Sequence, residues 1–516
     1  MSAADRWDAI VIGSGMGGLA CAAALANYGR RVLVLERHYV AGGLTHTFSR
    51  QGYTWDVGVH YLGQFGPHGA TRSMFEWLAG APIEMASMGA VYDTVHFPDG
   101  FEFQYARPVD ALRRNLVEAF PASESEIDRW LAALREGVHA VRALQVARAM
   151  PRGMAAPYRW WKQHEIERWV GRTTQQVAEE ILSDPRLRAV LTAQWGDYGG
   201  APANASFAIH AQLASHYLSG AWYPVGGAAA FAKLLVPSIE KAGGSVRTST
   251  GVDGLIVESG RVAGVRTEAG DEFRAPHVFS GIGARETVTR LLPDALRGSD
   301  WACEILSFKL NVAHVCLYLG LEGDIHARGA TRSNHWIFQT WDTAAGVWAD
   351  AFEQAEPKGV LVSFPSLKDP AHEPGARQRH TAEVVALVDW ETFSAWAQSR
   401  HESRPGEYES YKEVLERHLL GLFGRYFPGL APLVAYHELS TPLSTVAFTG
   451  HAQGAFYGLE VTPRRFLSRA LDSATPVPGL RLTGQDTLAP GVAGAMFAGA
   501  FAAGGVEPRV FRHLAG

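Results

Sequence analysis

Residues 8–43 constrain this chain more than any other segment, because they hold a complete strand–turn–helix–strand pattern followed by an acid and a glycine pair. The turn reads Gly13-x-Gly15-x-x-Gly18. In such a turn the first glycine permits a tight bend and the second lets the backbone approach a pyrophosphate. The third glycine allows the helix to pack closely on the strand. The segment therefore predicts a βαβ unit that binds an adenine dinucleotide.

The limits of this unit follow from its residue types. The short apolar run at 8–12 fits a buried parallel strand, and a second strand is expected at 31–35. A helix is expected from Met16 to Tyr28. Its first amides, including that of Gly17, are expected to face the phosphates, because a helix N-terminus attracts anions.

Glu36 ends the second strand, eighteen residues after Gly18. This is close to the spacing at which an acid accepts hydrogen bonds from the adenosine ribose. A carboxylate in this place disfavours a 2′-phosphate, so the motif argues against NADP and leaves NAD and FAD open. Arg37 follows directly and is a further candidate contact to the cofactor.

A second glycine pair separates these two cofactors, since Gly42 and Gly43 come six and seven residues after Glu36. A pair at this place resembles the flavoproteins that include amine oxidases and phytoene desaturases. In that group the pair lets the backbone pass close to the FAD diphosphate and ribityl chain. The resemblance implies FAD as the cofactor, with Leu44 and Thr45 as neighbouring contacts.

The resemblance continues near the end of the chain. A strand with the sequence LRLTGQD ends in Gly484-x-Asp486, and in these flavoproteins the aspartate binds a ribityl hydroxyl. An apolar helix follows from Gly491 and Val492. Its N-terminus is expected to face the flavin pyrimidine and to stabilise negative charge there. A plain Gly/Ala packing helix is compatible with the same residues.

Composition excludes several classes of protein. A net charge of −5 implies no general affinity for nucleic acid. The three widely spaced cysteines give neither a disulfide framework nor a metal pattern, and they fit a reducing compartment. The 20 histidines are dispersed, so no metal site is expected. The first strand leaves no room for a signal peptide, and no apolar run predicts a membrane-spanning helix, so we expect a cytoplasmic protein.

One segment suggests contact with a membrane surface. Residues 142–172 carry seven Lys and Arg against two acids, a balance of +5, with Met154, Trp160 and Trp161 among them. Basic residues mixed with tryptophan suit peripheral contact with the inner face of a membrane. A solvated basic helix or loop with packed aromatic residues fits this pattern equally well.

Further blocks narrow the resemblance; they read FSRQGYTWDVGVHYLG at 48–63, QWGDYG at 194–199, AWYPVGG at 221–227 and TPLST at 441–445. Together with LTGQD they are similar to the retinol saturase and carotenoid isomerase branch of the phytoene desaturase family, over nearly the whole chain. The resemblance implies an α/β fold. It would consist of an FAD-binding Rossmann-like domain of the glutathione-reductase and amine-oxidase type with an inserted α+β substrate domain.

The same resemblance implies an FAD-dependent oxidoreductase that acts on a C=C bond of a hydrophobic polyene, such as a retinoid, carotenoid or related isoprenoid lipid. Saturation by hydride transfer from reduced flavin is favoured, while cis–trans isomerisation and desaturation stay open. A non-catalytic lipid-binding escort protein is the alternative of another class. Because only one dinucleotide motif is convincing, the electron donor or acceptor is expected to be NAD(P)H, a quinone or a redox protein.

Three residues are candidates for catalysis. His60 follows the glycine pair, where the chain is expected to run toward the flavin ring. The resemblance places Tyr223 at the domain junction near the substrate. Asp197 lies in a glycine-flanked turn, where it is either an acid/base group or a helix cap. His210 and His216 are expected to be structural, because a spacing of six separates them on a helix.

The predicted cofactor domain is discontinuous and comprises 1–70, 222–290 and 475–516, and by resemblance Val252 contacts adenine within it. The predicted substrate domain comprises 71–221 and 291–474. Within these ranges we expect strands at 305–321 and 359–364, helices at 110–150, 174–193 and 380–426, and a surface loop at 365–378.

Overall fold

The computed structural model describes residues 7–150, 152–349 and 355–514. The ends of the predicted cofactor domain, residues 1–6 and 515–516, lie outside this range, as does Pro151 of the basic segment.

Twenty strands are formed in the described part of the chain: β1 (Ala9–Ile12), β2 (Val32–Leu35), β3 (Thr47–Arg50), β4 (Tyr53–Asp56), β5 (Leu62–Gly63), β6 (Met85–Ser87), β7 (Val91–His96), β8 (Glu102–Ala106), β9 (Ala221–Pro224), β10 (Ser245–Arg247), β11 (Val252–Glu258), β12 (Arg261–Thr267), β13 (Glu272–Arg274), β14 (Val278–Ser280), β15 (Ala313–Glu322), β16 (Asn334–Phe338), β17 (Gly359–Ser363), β18 (Arg379–Val388), β19 (Val434–Ser440) and β20 (Leu480–Leu482).

The α-helices of the same ranges are α1 (Met16–Ala26), α2 (Ala70–Ala79), α3 (Val109–Ala119), α4 (Glu124–Ala149), α5 (Arg152–Trp161), α6 (Gln163–Trp169), α7 (Thr174–Ile181), α8 (Pro185–Thr192), α9 (Phe207–Tyr217), α10 (Ala229–Lys241), α11 (Ala284–Glu286), α12 (Asp294–Arg297), α13 (Asp300–Leu306), α14 (Pro365–Lys368), α15 (Gly406–Tyr426), α16 (Pro442–Thr449), α17 (Pro463–Leu467), α18 (Gly491–Gly504) and α19 (Phe511–Leu514).

The first sheet is parallel, with the strand order β10-β2-β1-β14-β20. Its central strands are short and fully buried, as expected for strands covered by helices on both faces. Helix α1 starts at the end of β1 and is buried along its whole length, and α18 from the C-terminus packs against it. The βαβ unit predicted from the glycine motif is therefore present.

The second large sheet has seven strands in the order β19-β15-β18-β17-β16-β7-β8. All its neighbours are antiparallel except β16 and β7. Helix α15 covers part of one face in a shared apolar cluster, and helices α3, α4 and α9 belong to another cluster that reaches the sheet. Parallel and antiparallel sheets with packed helices confirm the α/β class.

All five strands of the parallel sheet fall within the ranges predicted for the cofactor domain, and all seven strands of the second sheet fall within the predicted substrate ranges. The exact domain boundaries stay a prediction.

The helix predicted over 380–426 is wrong in its first part. Residues 379–388 form β18, which pairs with β15 over ten residues and with β17 on its other side. Only Gly406–Tyr426 is helical as α15, after a short 3-10 segment at 390–396. A buried apolar run is compatible with either helix or strand, and here two neighbouring strands decide the outcome.

Two further corrections concern the ends of elements. The strand predicted from 305 begins only at Ala313, because Asp300–Leu306 forms helix α13. The surface loop predicted at 365–378 begins with the short helix α14, whose last residue, Lys368, is only 3% exposed.

Gly18→Ala tests the close packing of α1. A Cβ at this position would overlap the backbone carbonyl oxygen of Gly13, which cannot move without breaking the turn. We expect a loss of about 1–3 kcal/mol in stability, the usual cost of overpacking a rigid site, measured by thermal unfolding. Gly421→Ala in α15 is the matched control, since its Cβ would meet no protein atom within 4 Å and the residue does not line the cavity described below. Equal melting temperatures for the two variants would contradict the packing described here.

Candidate active site

A cavity of about 440 Å³ runs from the glycine turn of the parallel sheet to the seven-stranded sheet. The β1–α1 turn, the segment around Gly42 and the start of α18 form one wall. Side chains of β15 and β18, including Tyr318 and Val385, form the opposite wall. Two chemically different surfaces therefore face one enclosed space.

The cofactor residues predicted from the sequence are brought together here. Those that line the cavity are Gly13, Gly15, Met16, Gly17, Glu36, Arg37, Gly42, Gly43, Leu44, Thr45, Val252, Gly484, Gly491 and Val492. Gly18 and Asp486 do not line it. Gly18 packs against the backbone of Gly13, which agrees with the helix–strand packing role of the third glycine.

Asp486 is buried, and backbone amides occupy both of its carboxylate oxygens. Ala284 donates to one oxygen at 2.8 Å, and Leu459 donates to the other at 2.9 Å. The carboxylate thus joins two loops beside the cavity. The ribityl contact predicted for Asp486 stays a prediction.

The two glycine motifs touch each other. Gly15 and Gly42 form an isolated bridge, and a Cβ on Gly43, which has φ +56°, would lie 2.8 Å from the Cα of Gly15. Bare backbone therefore borders the cavity at this point, and a phosphate can approach its amide groups closely. The residues present fit a dinucleotide cofactor at this place.

Glu36 is held at the end of β2 by Ser14. The backbone N–H and the hydroxyl of Ser14 both donate to one carboxylate oxygen at 2.7 Å, and the N–H of His38 donates to the other at 2.8 Å. Sequence reasoning missed Ser14, which also binds the amide of Gly42 through its hydroxyl at 3.1 Å. Ser14, in the glycine turn, therefore fixes the positions of both Glu36 and Gly42.

Of the three predicted catalytic residues, only His60 lines the cavity. Its Nδ1 lies 2.9 Å from Oε2 of Glu383, a residue of β18 whose side chain is only 1% exposed. Glu383 gave no signal in the sequence, because it stands inside the stretch predicted as a helix. The seven-stranded sheet supplies it, since the register pairs Glu383 with Tyr318 on β15.

Tyr223 is buried behind this wall, where its hydroxyl donates to Asp56. Asp56 also accepts from the amide of Ala228 at 2.7 Å. Burial, and then the nearby charge of Glu383, raises the pKa of Asp56 to about 7. Tyr223 therefore anchors a carboxyl group under the cavity and does not line it.

Asp197 lies farther from the cavity, in a short 3-10 turn at 193–197. The hydroxyl of Tyr61 donates to Asp197 at 2.6 Å and lies 2.9 Å from an oxygen of Asp93. Burial, followed by the charge of Asp93, raises the pKa of Asp197 well above its ordinary value. The side chain does not cap the turn that contains it.

Lys368 joins these groups, although its sequence context predicted a surface loop. Its Nζ donates to the backbone carbonyl of His60 at 2.8 Å, to the hydroxyl of Ser363 at 2.7 Å, and to the side-chain oxygen of Asn334. Burial lowers the pKa of Lys368 to about 8, although surrounding carboxylates, Glu383 first, oppose this. A buried ammonium group thus fixes the backbone that carries His60.

Of the two histidines expected to be structural, His210 is buried and His216 is half-buried. Burial lowers the pKa of each to about 4, and His210 lies 3.2 Å from the hydroxyl of Tyr198. Neither His210 nor His216 lines the cavity.

Among the described residues, no group of three or more His, Cys, Asp or Glu side chains is arranged to hold a metal ion. In the same part of the chain, no helix is long and apolar enough to cross a membrane.

Comparisons with known proteins agree with this geometry. A family model described as an NAD(P)-binding Rossmann-like domain matches residues 11–78. The all-trans-retinol 13,14-reductase of Danio rerio is 30% identical over 97% of this chain and 85% of that protein. The human enzyme of the same name is 29% identical, over 95% and 84%. A chloroplastic prolycopene isomerase of Daucus carota is 25% identical, over 94% and 77%.

Solved structures show the same fold at low identity. A putrescine oxidase matches 98% of this chain and 99% of its own, with a TM-score of 0.64 and 15% identity. Cyclohexylamine oxidase from Brevibacterium oxydans matches 97% and 100%, with a TM-score of 0.60 and 17% identity. Given this fold and the near full-length match at 30% identity, the chain belongs to the retinol saturase branch of the phytoene desaturase and carotenoid isomerase family.

Proposed function

We propose that the protein is an FAD-dependent oxidoreductase that saturates one C=C bond of a hydrophobic polyene of the retinoid, carotenoid or isoprenoid type. The observation that carries this proposal is the single cavity in which the dinucleotide turn faces the seven-stranded sheet. The relatives named all-trans-retinol 13,14-reductase support saturation of a polyene bond. Bound flavin would supply hydride transfer, and the protein supplies binding, orientation and proton handling.

The chain's own groups fit each part of FAD. Glu36 would accept the adenosine ribose hydroxyls, and the amides around Gly15 and Gly43 would contact the diphosphate. The N-terminus of α18, at Gly491 and Val492, would face the pyrimidine end of the flavin. A helix of 14 residues carries partial positive charge at this end, which stabilises a reduced, anionic ring.

The far wall of the cavity suits a polyene. It includes the aromatic side chains of Tyr318, Phe456 and Tyr457 and the small side chain of Cys316. Such surfaces bind an apolar chain by excluding water and leave few polar groups to fix its orientation. We propose that His60 contacts the substrate. Tyr223 and Asp197 lie behind the cavity wall, where Tyr223 acts through Asp56 and Asp197 acts through Tyr61.

Two other reactions and one role without catalysis are the alternatives to saturation. The match to prolycopene isomerases favours cis–trans isomerisation of a carotenoid-like polyene as the second candidate activity, and desaturation is the reverse of saturation. An escort protein would bind a lipid without flavin chemistry. The electron donor or acceptor, whether NAD(P)H, a quinone or a redox protein, is left open by this proposal.

We further propose peripheral contact of a cytoplasmic protein with a membrane through α5. On this helix Met154, Trp160 and Trp161 are exposed by 62%, 77% and 68%. Lys162 follows, with its ammonium 4.8 Å from the ring centre of Trp161. Exposed tryptophan beside basic charge suits an anionic bilayer surface. Arg148 does not contribute, because it is buried against Asp472 and the carbonyls of Phe466 and Ser468.

The activity is tested with protein that has been reduced chemically without oxygen and then mixed with candidate retinoids and carotenoids. We expect flavin absorbance in the purified protein and a product heavier by two hydrogens in mass spectrometry. Gly15→Ala should keep the fold but lower flavin occupancy, because its methyl group would occupy open space at a residue that lines the cavity. A colourless protein that returns the polyene unchanged would establish the escort alternative, and isomerisation without mass change would establish the isomerase.

Membrane contact is tested by co-sedimentation with vesicles of anionic phospholipid. Trp160→Ala combined with Trp161→Ala should reduce binding at least several-fold, since each buried indole contributes apolar area. Binding by the native protein should weaken as salt is added. Leu306→Ala removes an exposed apolar side chain from a different helix and serves as the control. Equal binding of the double variant and the control would contradict the assignment of α5.

A further inference from the structure

His60 differs from the other histidines of the cavity in its partner. Six histidines line this cavity, namely His38, His46, His60, His314, His401 and His451. Of these, within the described ranges, only His60 lies within 4 Å of a carboxylate, at 2.9 Å from Glu383. Neither the His60 Nδ1 nor the two Glu383 side-chain oxygens form an aligned hydrogen bond, so the pair is defined by its short distance. The side chain of His60 is 20% exposed, which leaves the ring accessible from the cavity.

His314 provides an internal comparison, because it also lines the cavity. It is half-buried beside Phe456, and its Nδ1 has no hydrogen-bond partner among the described residues. Burial, and then the charge of His60, lowers the pKa of His314 to about 4. His314 is therefore neutral near pH 7, and of this pair only His60 has a partner that stabilises the imidazolium form.

The surroundings of Glu383 explain why a carboxylate is kept in the middle of a sheet. A buried charge is costly unless it is paired, and the described residues around Glu383 include His60 and the Lys368 ammonium. The charge of Glu383 also raises the pKa of Asp56, whose carboxylate accepts from Tyr223. Lys368 and His60 are thus basic side chains that can pair with a carboxylate at this position.

The wider cluster is richer in acids than in bases. Asp56, Asp93, Asp197 and Glu383 share the buried region with Lys368 and His60. Burial raises the pKa of Asp56 to about 7 and that of Asp93 to about 6. Because the carboxyl groups outnumber the cations, some of these carboxyl groups stay protonated near neutral pH. Protonated carboxyl groups therefore lie behind the cavity wall next to His60.

We propose that His60 is the proton donor of the reaction and that Glu383 is the residue that positions it. This inference rests on the proposed saturation of a C=C bond. The π bond breaks, one carbon gains a hydride, which bound reduced flavin would supply, and the other carbon gains a proton from a ring nitrogen of His60. A proton from water then restores the ring.

Glu383 is a positioning residue in this scheme, since it acts through His60. Lys368 has the same status, because it binds the backbone carbonyl of residue 60 and shares the charge of Glu383. The groups that face His60 are thus the Glu383 carboxylate, the neutral His314 ring and the Lys368 ammonium.

The first test measures single-turnover saturation by the reduced, flavin-loaded protein across pH. The native rate should fall at high pH, where a proton donor loses its proton. His60→Gln should lose about 10²- to 10⁴-fold in rate, the usual contribution of a general acid, with flavin occupancy and polyene affinity unchanged. Glu383→Gln should move the falling limb to lower pH, because the imidazolium form loses its anionic partner. Exposed His326→Gln and Glu118→Gln are the matched controls.

The second test does not depend on activity. Protein labelled with ¹⁵N-histidine is titrated by NMR, and the His60 signal is identified by its absence in His60→Gln. In Glu383→Gln that signal should titrate at lower pH than in the native protein, as expected when an opposite charge at contact distance is removed. His60→Asn is a second variant for the case in which the glutamine variant does not fold.

The outcomes separate the two proposals. If native protein gives no product heavier by two hydrogens, the proposed function fails, while the NMR titration still tests the His60–Glu383 pair. If saturation proceeds in His60→Gln at the native rate and with the native pH profile, the function stands and the proton-donor assignment is overturned. An unchanged His60 pKa in Glu383→Gln would overturn the role of Glu383.

Discussion

The fold depends on the close backbone contact between two helices from opposite ends of the chain. More than half of the residues in helices α1 and α18 are Gly or Ala. A Cβ on Gly499 would overlap the carbonyl oxygen of Gly17, and a Cβ on Gly17 would lie 2.5 Å from the Cα of Gly484. Only glycine, which has no Cβ, allows the two backbones to come this close, so the glycine turn after β1 packs against the end of β20. The N-terminal and C-terminal parts of the predicted cofactor site therefore lie next to each other.

The cavity is a consequence of this arrangement. The glycine turn and the start of α18 face the same side of the parallel sheet, and the seven-stranded sheet closes the space above them. The second sheet also carries buried charge, with Glu383 on β18 and Lys368 in the helix just before it. Buried charges are stabilised by pairing, and His60, 2.9 Å from Glu383, reaches the cavity. In the proposed reaction, cofactor binding and proton handling thus lie on opposite walls.

Much of the cofactor site could be predicted from the sequence, because its signals are local. The turn, the acid and the glycine pair lie within one βαβ unit, where spacing along the chain determines spacing in space. Asp486 was also found, but the structure uses its carboxylate to join backbone amides of two loops. The interpretation of 380–388 as helix was wrong, because strand pairing with β15 and β17 overrides the local apolar pattern.

The sequence by itself determined the dinucleotide unit, the α/β class and the family, since each rests on short motifs with fixed spacing. It also marked His60 as a candidate. Only the tertiary structure decided that His60 meets Glu383, that Lys368 is buried, and that Tyr223 and Asp197 stand behind the cavity. The physical reason is that these contacts join residues distant in the chain. Their positions depend on strand register and sheet order, which no local pattern specifies.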